Sequence, residues 1–509
     1  MTIVFGQRLC ANFLIVLLSL LAPPLFATTL TDLPPRIATK LPDWGLKPAQ
    51  VSIYVRRVDA DTPLVFFNPE QPRIPASTIK LVTTIVGLDV LGTNYRWTTQ
   101  VYTDGNQQGE QLIGNLYIKG FGNPYLSNGE FADLIRGIRN KGISIIRGNI
   151  LLDNSYLDPP EQARADFDGA GQSAYNALPA ALSINRQVTD IHVFNDRGNG
   201  KVGIYTDPPL SGVVIDNQAQ LINAPCQNRY HHPFVSFIEA TPTSAPTVRL
   251  TGQFASECGE EVIYSLMLSP EQHAAAAFDA LWHDLGGQIT GQIRLGMTPR
   301  SAKLLHNSQS QPLAVIIRDI NKYSNNLMAR MLFLTLGNKR FGSPGTLKKS
   351  RDAMAAWLTA HRFNWHGFII DNGSGLSRHT RIAAGDFGEL LTWAYRQPWM
   401  PELLSSMAIA GIDGTVRKRL RQEPIAERAH LKTGTVRDAS CIAGFVLDRN
   451  NQRWVVVVMV NADSQKQALG AWQGHAVQHE ILRWVYQGAP LNETIKTTVK
   501  KNTKTRSTP

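Results

Sequence analysis

Three short clusters carry residue types able to do acyl-transfer chemistry. The first is Ser77-Thr78-Ile79-Lys80. Apolar residues Ile79, Val82, Val86 and Val90 recur at three and four, which predicts a helix over 76–91. On a helix, positions i and i+3 share a face, so the Lys80 amine can reach the Ser77 hydroxyl. A serine needs a base to become a nucleophile, and a lysine serves if it is neutral. Pro75-Ala76 places Ser77 at the helix start, where free N–H groups and the dipole favour a developing negative charge.

The second cluster is Lys432-Thr433-Gly434-Thr435, just before a strand hairpin made of CIAGFVL, a DRNNQR turn and WVVVVMV. There a glycine lets a ligand backbone lie against the strand. Lysine offers a cation and the threonines offer hydroxyls, a set that suits a substrate carboxylate. The third is Ser324-Asn325-Asn326, at the start of a buried helical pattern. A polar triplet facing a core needs partners, and a catalytic cleft supplies them. A second Ser-x-Asn, Ser183-Ile184-Asn185, lies in a strand-rich stretch, so Ser324 is preferred. A charged Lys432 near Lys80 would favour loss of the Lys80 proton.

The surrounding chain sets limits on these clusters. It has 509 residues, 43% apolar and 18% charged, with a net charge of +11. That is globular composition, long enough for roughly three domains. A basic surface favours anionic partners. Arg8, the apolar run at residues 13–21, Pro23-Pro24 and a small residue at Ala27 read as a secretory signal over 1–27. The run is shorter than the ~20 residues that span a bilayer. The mature chain is therefore expected to be exported, with periplasm the preferred compartment and nucleic acid excluded as a partner. After Cys10 leaves with the signal, Cys226, Cys258 and Cys441 remain; Cys226 and Cys258 are expected to pair. His231-His232 reads as surface loop, and no metal-binding spacing occurs. The tail, residues 491–509, holds five Lys/Arg and one Glu without an apolar period, and reads as disordered, with contact to an anionic membrane or wall surface as a looser role.

Ser324 follows Ser77 by 247 positions, and in that interval a Gly, Asn and Pro-rich stretch from about 99 to 248 reads as strands. Residues 134–152 resemble residues 278–295: a helix, a Gly stop, then a short strand with a second Gly. Two such copies suggest one domain built from separated halves. The expected division is a catalytic domain from 28–98 and 295–490, an inserted domain from 99–164 and 249–294, and a nested domain over 165–248.

Taken together, these clusters match the set found in serine penicillin-recognising enzymes. The chain resembles the D-alanyl-D-alanine carboxypeptidases/endopeptidases of the class C low-molecular-mass penicillin-binding proteins, peptidase family S13. Supporting stretches are Asp371-Asn372-Gly373-Ser374-Gly375-Leu376-Ser377-Arg378 and Gly411-Ile412-Asp413-Gly414-Thr415. Gly120-Phe121-Gly122-Asn123-Pro124 resembles a family Gly-x-Gly-Asp-Pro stretch, with Asn123 in place of the acid. The resemblance implies an α/β (α+β) β-lactamase/DD-peptidase-like fold with two nested, strand-rich insertions. It implies Ser77 as nucleophile, Lys80 as its base and Ser324 as proton relay to the leaving amine. Asn326 would hold the substrate amide, and Thr433 and Thr435 the terminal carboxylate, with Lys432 adding field beside Gly434. Backbone N–H groups of Ser77 and Thr435 would form the oxyanion hole. Arg378 is expected to contact a stem-peptide carboxylate. Peptidoglycan peptides and β-lactams are the implied partners, and no cofactor is required. A serine β-lactamase is the nearest rival, because Tyr323-Ser324-Asn325 also fits a Tyr-x-Asn pattern. A non-catalytic wall-binding protein of the same fold is the other.

Overall fold

The computed structural model describes residues 29–226, 233–463 and 468–489. The expected signal segment, the His231-His232 pair and the basic tail lie outside these residues. Among the described residues no helix is long and apolar enough to cross a membrane.

Six antiparallel strands form the central sheet, in the order Val65–Phe67, Val51–Arg57, Arg453–Asn461, Ala439–Leu447, Ala429–Val436 and Ala408–Ile409. Val51–Arg57 therefore pairs with a strand 400 positions later, as an insertion between them requires. Arg453–Asn461 shows why the run is apolar throughout. Val455, Val457 and Met459 enter one core, while Val456, Val458 and Val460 enter the other. A strand covered on both faces reads as a continuous apolar stretch, and each valine so buried contributes about 1.5 kcal/mol or more. Helices Lys80–Leu91, Leu313–Lys322, Asn326–Phe341 and Ala384–Tyr395 cover the first face; Ala471–Tyr486 covers the second.

The insertion begins at Thr98–Thr103. Its main sheet has the order Ile293–Leu295, Ile150–Asp153, Leu116–Gly120, Thr98–Thr103 and Lys303–Gln309. The two similar segments sit side by side. Ile293–Leu295 runs parallel to Ile150–Asp153, and Gln288–Ile289 parallel to Ile145–Arg147. Their helices, Asn128–Arg139 and Pro270–Asp284, meet through Phe131 and Phe278, with ring centroids 6.4 Å apart. In the 120–124 stretch, buried Asn123 accepts from the Tyr125 amide and so holds its turn without an acid.

A nested part carries three further sheets: Lys201–Asp207, Thr189–Asp196 and Glu261–Ser265; Val214–Asn217, Thr247–Thr251 and Phe234–Ile238; and the pair Gln220–Ile222 and Gln253–Ala255. Cys226 and Cys258 are disulfide-bonded, while Cys441 is a buried thiol. Strand pairing crosses positions 248 and 294. Thr247–Thr251 and Glu261–Ser265 bond to nested strands, and Lys303–Gln309 bonds to Thr98–Thr103. After that strand, helical structure resumes at Leu313. Pairing partners distant in sequence leave no local signal, which is why composition misses these strands.

Candidate active site

The helix that carries Ser77 and Lys80 does not start as an α-helix. Ala76–Ile79 forms a tight 3-10 turn, and regular α-helix begins at Lys80. In a 3-10 turn, side chains at i and i+3 eclipse one another. That brings Lys80 Nζ to 2.8 Å from Ser77 Oγ. Entry into the turn uses a left-handed Ala76, φ +47°, backed by Gly375, φ +79°. A Cβ on Gly375 would stand 1.9 Å from the Ala76 carbonyl oxygen, so this contact admits only glycine.

Lys80 is completely buried, while Ser77 stays partly exposed. Two carbonyl oxygens also face the amine: Asn326 Oδ1 at 2.6 Å and the Ser374 carbonyl at 2.5 Å. A neutral amine has two hydrogens and one lone pair. With both hydrogens committed to these carbonyls, the lone pair is left for the Ser77 hydroxyl proton. Burial, then the charges of Lys432 and Arg330, hold the Lys80 pKa well below its usual value. The Ser374 carbonyl is aimed by its own loop. Asn372 Oδ1 accepts from the Ser374 amide at 3.0 Å and its hydroxyl at 2.8 Å, while Asn372 Nδ2 donates to the Leu376 carbonyl at 3.0 Å.

Across the cleft lies the outer strand, Ala429–Val436. Lys432 is fully buried, with its pKa lowered to about 7 by burial. Its Nζ donates to Ser324 Oγ at 2.8 Å and to the Thr433 carbonyl at 2.9 Å. Ser324 sits between the helices Leu313–Lys322 and Asn326–Phe341 with φ +62°, a conformation that costs a non-glycine residue energy and is stored where geometry matters. Asn325 caps the second helix by accepting from the Met328 amide at 3.0 Å. Ala408–Ile409 pairs only with His430 and Leu431. The Ala429 carbonyl accepts from Ala410 on this outer side, so the period of two turns the Thr433 and Thr435 amides to the unpaired edge. Gly434 packs on the nucleophile turn: a Cβ there would lie 2.5 Å from the Pro75 carbonyl oxygen and 2.8 Å from both the Ser77 and Thr78 nitrogens.

Ser77, Lys80 and Asn326 thus form one hydrogen-bonded group and Ser324 and Lys432 a second, close enough that the Lys432 charge acts on Lys80, with Gly434 packed on the Ser77 turn and Thr435 exposed. The remaining expected residues are placed differently. Thr433 donates to Thr415 Oγ1 at 2.8 Å. Arg378 is 3.4 Å from Asp438, a nearly buried carboxylate, and 5.2 Å above the Phe167 ring; its side chain keeps one third of its exposure toward the solvent. Ser183 and Asn185 bond within the inserted region, to Gln187, Val188 and Asp190. Tyr323 is exposed, and Ser324 is the residue that meets Lys432.

Four groups escaped sequence reasoning: the Ser374 carbonyl, Thr415, Arg330, and the carbonyl of Tyr175, which accepts from Asn326 Nδ2 at 2.9 Å. Ser374 and Thr415 lie in stretches whose glycines mark them, but a backbone acceptor has no residue-type signature. Arg330 reads as part of a buried apolar pattern.

Comparisons with known proteins agree on one family. Residues 34–480 match the model of the D-Ala-D-Ala carboxypeptidase 3 (S13) family. D-alanyl-D-alanine carboxypeptidase DacB of Haemophilus influenzae is 21% identical over 84% of this chain and 88% of its own length. The D-alanyl-D-alanine carboxypeptidase of Actinomadura sp. (strain R39) is 24% identical over 82% of this chain and 79% of its own. The crystal structure of Haemophilus influenzae penicillin binding protein 4 superposes with a TM-score of 0.70, at 21% identity, covering 89% of this chain and 98% of that one. It has the same mixed α/β fold with inserted domains. A match over residues 34–480, carried on this shared architecture, makes the chain a member of the D-Ala-D-Ala carboxypeptidase (S13) family.

Proposed function

We propose that this protein is an exported serine-type D-Ala-D-Ala carboxypeptidase/endopeptidase, acting on peptidoglycan stem peptides and cross-links through an acyl-enzyme on Ser77. The observation that carries this reading is the wiring of Lys80: buried, with two carbonyl acceptors for its hydrogens and the Ser77 hydroxyl on its remaining side. Ser77 Oγ attacks the carbonyl between the two D-alanines as its proton passes to Lys80 Nζ. The oxyanion faces the Ser77 and Thr435 amides, beside the edge strand. The proton held on Lys80 is relayed through Ser324, hydrogen-bonded to Lys432, to the leaving amine, so the C–N bond breaks with the amine neutral and both Lys80 and Ser324 restored. Water then attacks the ester with the proton returning to Ser77. Thr433, Thr435 and Lys432 receive the terminal carboxylate, Asn326 the substrate amide, and Arg378 a stem-peptide carboxylate.

β-Lactams present the same carbonyl with a tethered leaving group, so they acylate Ser77 and remain. This activity places the enzyme outside the cytoplasmic membrane, where peptidoglycan lies, with the periplasm the preferred compartment. Treatment with penicillin followed by mass spectrometry is the test: wild type gains one penicilloyl group on the peptide containing Ser77, and Ser77→Ala gains none. Turnover of a D-Ala-D-Ala peptide separates an enzyme from a wall-binding protein. An adduct lasting minutes or longer separates a peptidase from a β-lactamase. Absence of both adduct and turnover rejects the proposal.

A further inference from the structure

Asn326 and Arg330 lie one turn apart on the Asn326–Phe341 helix, so their side chains share a face. Opposite them runs a segment of the nested insertion. The Tyr175 carbonyl accepts from Asn326 Nδ2 at 2.9 Å, and the Ala177 carbonyl accepts from Arg330 Nη1 at 3.3 Å. Residues 174–176 form a 3-10 turn, and it is the carbonyls at its middle and just past its end, Tyr175 and Ala177, that meet the helix.

The segment is tied down at Asp168. Its Oδ2 accepts from the Tyr175 hydroxyl at 2.7 Å; its Oδ1 accepts from Asn176 Nδ2 at 2.9 Å and from the Ala170 amide at 3.0 Å. Asn176 is 2% exposed and Ala177 fully buried. Phe167, one residue earlier, lies under Arg378.

We propose that residues 167–177 are a positioning strap through which the inserted domain sets the orientation and dryness of the general base Lys80. The idea rests on the acyl-transfer reading above. The strap fixes which way the Asn326 amide faces: with Nδ2 on Tyr175, Oδ1 must face Lys80. A turned amide would aim its hydrogens at the Lys80 lone pair and compete with Ser77. The strap also covers the helix face beside Lys80 against water. The charged groups around Lys80 are Lys432 from the edge strand and Arg330 from the helix; Asp371, paired with Arg351, acts on Arg330. Burial is the largest cause of the low Lys80 pKa, so admitting water raises it.

The test follows acylation of Ser77 by a fluorescent penicillin as a function of pH. In Asp168→Ala, which removes all three ties, the midpoint of the acid limb should move upward by about one pH unit. That makes acylation ~10-fold slower below the midpoint and lets the curve approach wild type at alkaline pH. Asp168→Asn keeps the Oδ1 acceptor and should recover most of the shift. A uniform loss of rate with an unmoved midpoint overturns the proposal, since a merely structural residue would give that. Should Asp168→Ala fail to fold, Tyr175→Phe removes a single tie and should shift the midpoint less in the same direction; an unshifted midpoint there also overturns it. Failure of wild type to acylate at all would instead reject the acyl-transfer reading.

Discussion

Gly434→Ala tests the contact between the edge strand and the nucleophile turn. The added methyl would stand 2.5 Å from the Pro75 carbonyl oxygen and 2.8 Å from the Ser77 and Thr78 nitrogens. All three are backbone atoms, so no side chain can swing aside. Restoring an ordinary contact of about 3.4 Å means parting strand and turn by ~0.9 Å. The strand cannot move far on its other side, because Ala439–Leu447 is bonded to it along its whole length. The displacement therefore falls between the Thr435 amide and Ser77, the two sides of the expected oxyanion hole. A misplacement near 1 Å costs about 10²-fold in rate, or ~2.7 kcal/mol of barrier. Stopped-flow acylation by a fluorescent penicillin gives the rate, and circular dichroism confirms the fold. Acylation within threefold of wild type by a folded Gly434→Ala protein would refute the reasoning.

Other outcomes follow from the same structure. Lys432 has a folded pKa of about 7 against an ordinary lysine value of 10.5, so the unfolded state takes up its proton first as pH falls. The stability linked to its neutral form is complete above the unfolded value and is lost as pH drops from there toward 7. Lys432→Met should accordingly melt several degrees higher than wild type at pH 7, with the gap closing in alkali, while penicillin acylation falls by orders of magnitude; an equal or lower melting point contradicts this. Arg378→Ala leaves the nearly buried Asp438 without its 3.4 Å partner and should lower the melting temperature. It should also cut kcat/KM at least tenfold for substrates carrying the extra carboxylate, with uncharged analogues spared; equal loss on both would separate Arg378 from recognition. Replacing Cys226 and Cys258 by serine opens a loop of 32 positions, worth about 3–4 kcal/mol. The expected result is faster proteolysis of the nested domain with unchanged Ser77 acylation, read by gel and mass spectrometry.

The sequence alone determined the parts whose cause is local. Ser77 and Lys80 were legible because helical spacing forces i and i+3 together, whatever else the chain does. Lys432 and Gly434 were legible because a strand before a hairpin has a free edge. The apolar 454–460 run announced a strand of a hairpin, and the paired segments near 134 and 278 announced neighbours in one domain. Tertiary structure decided everything that depends on who meets whom. The first turn is 3-10 and packs closely against Gly375 and Gly434, an arrangement that a helical pattern does not encode. Which strands pair across positions 248 and 294 was decided by partners that lie far apart in the chain. The acceptors that commit Lys80 to its role, the Ser374 carbonyl and the Asn326 amide oxygen held by Tyr175, are backbone or orientation choices. Every residue has the same carbonyl, so only the fold can say which one faces the amine.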